Sequence, residues 1–131
     1  MSKYRLNWEK ILEVVNLLLV ERIKEEAPVH DGELRQSISG ISGAHDIKIY
    51  MVPWGLYTEF GTLPHPMNPE WLRKWCRDVL GDEDARFAVA YYIAKHGTQP
   101  HPFIRPILDM ELRDIFKQAI ISIGEDAVML K

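Results

Sequence analysis

The chain has 131 residues, of which 47% are apolar and 27% charged, the balance of a globular domain long enough to bury a core. That balance excludes disorder over the whole length. A net charge of −3 with no basic stripe argues against a protein that coats DNA.

The single cysteine, Cys76, leaves no intrachain disulfide framework and no cysteine-based zinc site. The densest apolar run, Val14–Val20, is broken by Asn16 and is far shorter than the ~20 residues of a membrane helix. The charged start, Met1–Asn7, is followed by no cleavage site, so a soluble, unexported chain is expected.

Asn7 can cap a helix running to about Glu26. Its apolar residues Trp8, Ile11, Leu12, Val15, Leu18, Leu19 and Ile23 recur at steps of three and four, and Val14 and Leu17 widen the stripe. So broad a stripe predicts burial on two sides, against a sheet and a neighbouring chain. Pro28 ends the helix. Asp31-Gly32 signals a turn. Leu34–Ile41 reads as a strand, with a short helical turn at Gly32–Ser37 as its competitor. Ile47–Val52 alternates like a strand, giving a hairpin or meander.

After Pro53 and Gly55, Leu56–Phe60 is either a short helix or a strand. Pro69 suits the first turn of a helix over Glu70–Leu80, with Trp71, Leu72, Trp75 and Val79 on one face. Asp82 or Asp84 can cap the next helix, Glu83–Lys95, whose apolar face holds Phe87, Val89, Ala90, Tyr91, Ile93 and Ala94. Gly97 is placed to end it in a left-handed conformation. A last helix, from about Arg105 to Ile123, turns Ile107, Leu108, Leu112, Ile115, Phe116, Ala119 and Ile120 to the core. The tail, 124–131, is expected to fray. Helix, strands, then helices predicts a single α+β domain over 1–131, with a long N-terminal helix, a small antiparallel sheet and a C-terminal helix.

One internal echo stands out. Gly61-Thr62-Leu63-Pro64-His65-Pro66 matches Gly97-Thr98-Gln99-Pro100-His101-Pro102 at five of six positions. Six of the eight prolines lie in 64–69 and 100–106, so these loops are stiff arms that lose little entropy on meeting another subunit.

Catalytic readings are weaker. His65, His96, His101 and Glu59 could form a metal or acid–base set, but no His-Glu-x-x-His or cysteine pair supports it. Ser37, Ser39 and Ser42 with His30 or His45 lack the nucleophile-elbow spacing, and no phosphate-cradling glycine motif occurs. Cys76, in an amphipathic helix, reads as inert. Trp71 and Trp75 read first as core packing and second as an aromatic anchor for a partner. Arg35, Glu59 and Arg105 read as surface charges or as salt-bridge partners.

Three segments in order carry a resemblance. Ala27-Pro28-Val29-His30-Asp31-Gly32-Glu33-Leu34-Arg35-Gln36-Ser37-Ile38 comes first, then Tyr57-Thr58-Glu59-Phe60-Gly61-Thr62, then Gly97-Thr98-Gln99-Pro100-His101-Pro102-Phe103-Ile104-Arg105-Pro106. With a long helix at each end, this resembles the tail-completion, or head–tail joining, proteins of long-tailed phages and prophages, over about residues 5–122. Trp54-Gly55, the long 66–95 insertion and Ile107 depart from the family pattern.

The resemblance implies a non-enzymatic virion protein at the head–tail junction, found in the virion and in the host cytoplasm during assembly. It implies contacts with other head–tail proteins and a homo-oligomeric ring in the particle. Free subunits of such proteins can be monomers. It implies no cofactor, metal, membrane or sequence-specific nucleic acid. Arg35, Glu59, Phe60, Gly61, Thr62, Gly97, Thr98, His101, Pro102, Phe103 and Arg105 would be structural loop residues near subunit contacts. The alternatives are a small metal-dependent hydrolase using His65, His101 and Glu59, and a host-side binding module.

Overall fold

The computed structural model describes residues 4–28 and 32–130. Its core is built on α1 (Trp8–Glu26). Ile11, Val15, Leu19 and Ile23 are buried along it, each four residues from the next and hence on one face. Asn7 Oδ1 accepts the Lys10 N–H at 3.2 Å and caps the helix. Extended Ala27, before Pro28, ends it.

Much of the apolar breadth of α1 is covered within the chain. A C-terminal helix, α7 (Leu112–Ile123), packs along it and adds Ile115 and Ala119 to the core. A hairpin of β2 (Ser39–Ser42) and β3 (Ile47–Tyr50) packs on α1 and adds Ile47 and Ile49. The hairpin is antiparallel, with Ser39 opposite Tyr50 and Ser42 opposite Ile47. Leu17 stays on the outer side, 65% exposed.

The segment expected as one long strand divides in two. Its first half is a short helix, α2 (Glu33–Ser37), and only Ser39 onward is strand. Gly32, at φ +85°, starts the helix, and the Gln36 N–H donates to its carbonyl at 2.9 Å. Ser37 Oγ then donates to Leu34 and accepts the Val52 N–H, which anchors the turn to the hairpin. Asp31 and His30 lie outside the described residues. The 56–60 segment is helical, within α3 (Trp54–Phe60).

The 66–95 insertion is helical but irregular. A 3₁₀ turn (Pro69–Leu72) runs into a single α turn, α4 (Arg73–Trp75), and a π turn (Cys76–Leu80). Asp82 caps a further 3₁₀ turn that opens α5 (Arg86–His96). The final long helix is interrupted at Glu111, which divides α6 (Arg105–Met110) from α7. Arg22 of α1 grips Glu111 through two bonds, at 2.8 and 3.2 Å, and so ties the break to the core helix.

The C-terminal tail, expected to fray, is structured as far as Leu130. After a 3₁₀ turn (Gly124–Ala127), β4 (Val128–Leu130) pairs antiparallel with β1 (Tyr4–Leu6). Asn7 joins the two ends: its backbone N–H donates to Ala127 at 2.7 Å and its side-chain amide to Asp126 at 3.3 Å. Among the described residues no helix is long and apolar enough to cross a membrane.

Asn7 thus serves a helix cap and a clasp together. Asn7→Ala is expected to lower stability by about 1–2 kcal/mol, read from thermal denaturation. Asn7→Asp, which keeps the capping oxygen, should lose less than half as much.

Candidate functional site

The second and third of the segments that carry the resemblance fold onto one junction. Glu59 sits in the last turn of α3, and its side chain is 1% exposed. Its Oε2 accepts the N–H groups of Phe103 at 2.7 Å and Ile104 at 2.9 Å. Its Oε1 accepts the Arg105 N–H at 2.8 Å and Arg105 Nε at 3.2 Å. Arg105 also donates to the Glu59 carbonyl at 3.0 Å and lies over the Phe60 ring, 4.9 Å from its centre.

Two of these amides lie at the start of α6, where helical N–H groups have no partner within the helix. The carboxylate supplies one. Desolvation is the strongest influence on Glu59 and pushes its carboxyl upward. The amides of Ile104, Arg105 and Phe103 and the Arg105 guanidinium together outweigh it, so the carboxyl is held below its ordinary value.

The sequence echo becomes a pair of contacts beside this lock. Gly61 follows α3 and Gly97 follows α5, and each amide caps its helix, to Tyr57 and to Ile93. Thr62 and Thr98 then form an antiparallel bridge, exchanging N–H···O bonds of 3.1 Å in both directions. Their hydroxyls meet at 3.1 Å. His65 N–H donates to Ile93 at 3.4 Å, and His101 N–H to Thr58 at 2.7 Å. The two arms brace each other in near-twofold fashion.

Both glycines have φ +72°, with ψ −177° at Gly61 and −161° at Gly97. This is a region that glycine alone occupies readily, distinct from the left-handed helical conformation expected at Gly97. A Cβ at Gly97 would also collide with the Thr62 carbonyl, and one at Gly61 would come within 2.6 Å of the Thr98 carbonyl.

The other expected residues are placed as follows. Phe103 is buried in the core, so its removal would test folding more than assembly. Pro102 and the His101 side chain are exposed. Arg35 stands apart from the lock and donates to the Glu25 carbonyl near the end of α1 at 3.4 Å. Among the described residues, no group of three or more His, Cys, Asp or Glu side chains is placed to hold a metal ion. The Glu59 oxygens are occupied by backbone amides, and His65 Nδ1 lies 3.0 Å from the Pro66 carbonyl. Cys76 is fully buried at the head of the π turn.

An aromatic surface lies beside the lock. Trp71 is 76% exposed, against the expectation that it packs in the core. It lines, with Trp54, Thr58, Trp75, Val79 and His101, an open groove of about 610 Å³. The broken helical geometry of Pro69–Leu80 is the reason: no continuous helix exists to turn one face inward. Phe87 and Tyr91 of α5 are likewise more than half exposed, and only Ala90 and Ile93 of its expected apolar face are buried.

No family model matches the chain, and neither does any curated protein or solved structure.

Two outcomes follow for the junction. Glu59→Gln keeps the shape but turns an amide donor toward backbone donors, and should cost about 2–4 kcal/mol at neutral pH. The carboxyl is depressed in the folded state, so its contribution is present above its ordinary value, about 4.3, and is lost as pH falls through the lower folded value. The wild-type advantage over Glu59→Gln, measured by urea denaturation, should therefore shrink in that acid window. Gly97→Ala should cost more than about 2 kcal/mol, since strain adds to collision. Gly81→Ala, at φ +73° with open space around it, should cost only about 1 kcal/mol.

Proposed function

We propose that this chain is a non-enzymatic structural subunit of a phage or prophage particle. It acts at the head–tail junction, as a tail-completion or connector protein, within a homo-oligomeric ring. The observation that carries the reading is the use made of the motif residues. Glu59 of the second motif segment binds the backbone of Phe103, Ile104 and Arg105 in the third. Such a lock shapes a subunit and leaves the carboxylate no lone pair aimed at a substrate. The same engagement weighs against a hydrolase that uses Glu59 as ligand or base.

Two further features favour the reading. Paired, proline-stiffened arms keep their shape when a neighbour docks. A slightly acidic chain, at −3, would not hold the phosphates of passing DNA. Its partners would be other virion head–tail proteins, and it would be found in the particle and, during assembly, in the host cytoplasm.

The test is deletion of the gene from an inducible prophage that carries it. DNA-filled heads and separate tails are expected by electron microscopy, with tailed particles restored by the wild-type gene in trans. Normal tailed particles after deletion, or a genome without portal, capsid and tail genes beside this one, would overturn the reading. So would stoichiometric zinc or manganese in the purified protein.

A further inference from the structure

We infer that the outer face of α5 is the seam of a twofold dimer, in which the helix packs antiparallel on α5 of a second copy. The inference goes beyond the phage reading and does not rest on it.

The inner face of α5 is occupied, with Ala90 and Ile93 buried in the chain's own body. The outer face carries two rows that step four residues at a time. One is Asp84, Ala88 and Tyr92, which begins in the 3₁₀ turn before the helix. The other is Phe87, Tyr91 and Lys95. Residues four apart form one ridge of a helix, and adjacent ridges leave a groove between them. All six side chains are exposed. The three rings keep between 51% and 66% of their surface open, and the Asp84 side chain 90%.

The two rows match each other when read in opposite directions. A twofold axis level with the peptide between Val89 and Ala90 sets Asp84 opposite the partner's Lys95. It sets Ala88 opposite the partner's Tyr91, and Tyr92 opposite the partner's Phe87. Acid faces base, a small side chain faces a large one, and ring faces ring. The symmetry makes each pairing twice. A parallel arrangement would set acid beside acid and base beside base. The acid stands near the start of the helix and the base near its end, the order that the helix dipole favours. Antiparallel packing turns that order into complementarity between copies.

Contacts within the chain leave the charged ends available. Asp84 reaches Arg86 at a long 3.4 Å, and Lys95 Nζ lies 5.5 Å from the centre of the Tyr91 ring. Pattern, and not area, singles out a second copy. At roughly 200 Å² per ring, a little over half of it open, the two copies together cover no more than about 700 Å² of ring surface. That is the lower edge of a standard interface, so the dimer is weak, with a dissociation constant on the order of 10–100 µM.

Sedimentation velocity on the 131-residue protein, across about 5–500 µM, tests this. Wild type should pass from monomer to dimer and stop there. Asp84→Lys and Lys95→Asp each put like charges opposite one another at both ends of the seam, and each should associate about tenfold more weakly at low salt. An equimolar mixture of these two variants should recover wild-type association, because the mixed dimer again faces opposite charges at both ends. The chain carrying both substitutions should recover it too. Tyr91→Ser should associate about thirtyfold or more weakly, as on loss of an interface hot spot. The three positions are exposed, so circular dichroism and melting temperature should stay close to wild type.

A wild type that stays monomeric at the highest concentration would overturn the inference. So would charge variants that associate like wild type, a mixture no stronger than its components, or undiminished association of Tyr91→Ser. The dimer closes at two copies and is not the head-to-tail contact of a ring, so none of these outcomes touches the phage reading, which the prophage deletion decides.

Discussion

A carboxylate with 1% of its side chain in contact with solvent is tolerated only if hydrogen bonds replace its water. Glu59 meets that condition with three consecutive backbone amides and one guanidinium. The bonds span 44 to 46 positions of chain, so they fix tertiary structure. They hold the end of α3 against the start of α6 and set Phe103 into the core beside Ile107. From there α6 and α7 run on to pack along α1. The path of the C-terminal half thus depends on one buried acid.

The lock and the neighbouring Thr62–Thr98 bridge close the base of a long excursion, residues 63–97. The excursion is held more by charge than by burial. Arg86 is 9% exposed and meets Glu70 at 3.1 Å, Asp84 at 3.4 Å and the Glu83 carbonyl at 2.9 Å. Arg73, with Arg86, holds the Glu70 carboxyl below its ordinary value. Polar stitching of this kind orders a segment without covering its rings. Phe87 remains open beneath Arg86, and Tyr91 beneath Lys95.

Local signals were readable in the sequence and tertiary ones largely were not. The cap at Asn7, the full length of α1 and the β2–β3 hairpin follow from periodicity and turn chemistry, which act over a few residues. The echoed Gly-Thr-x-Pro-His-Pro segments were visible as a repeat. Their role is internal first, each segment bridging the other, whereas rigidity alone pointed outward to another subunit. The β1–β4 clasp was missed because strands of three residues carry almost no pattern, and their stability comes from partners at the far end of the chain. Leu34–Ile41 reads as strand with a helical turn at Gly32–Ser37 as its competitor, and the glycine at positive φ decides for the helix in the first half. The burial of Glu59 was unreadable as well. A glutamate between threonine and phenylalanine carries no mark of the amides it will meet.

Twelve of the twenty-one large apolar side chains left exposed among the described residues fall between Trp54 and Tyr92, under a third of the chain. Scattered exposure is normal in small domains and needs no explanation. Concentration of this kind is different. A flexible excursion with so many rings would collapse onto the body and bury them. Here collapse is opposed at the base by a backbone bridge that tolerates no Cβ at Gly97, and along the arms by prolines that restrict φ. The same groups that rigidify the excursion therefore keep its apolar surface outward. Each additional covered side chain would contribute roughly 1.5–3 kcal/mol to the subunit if it could fold inward. A fold that holds this surface open forgoes that stabilisation in the isolated chain.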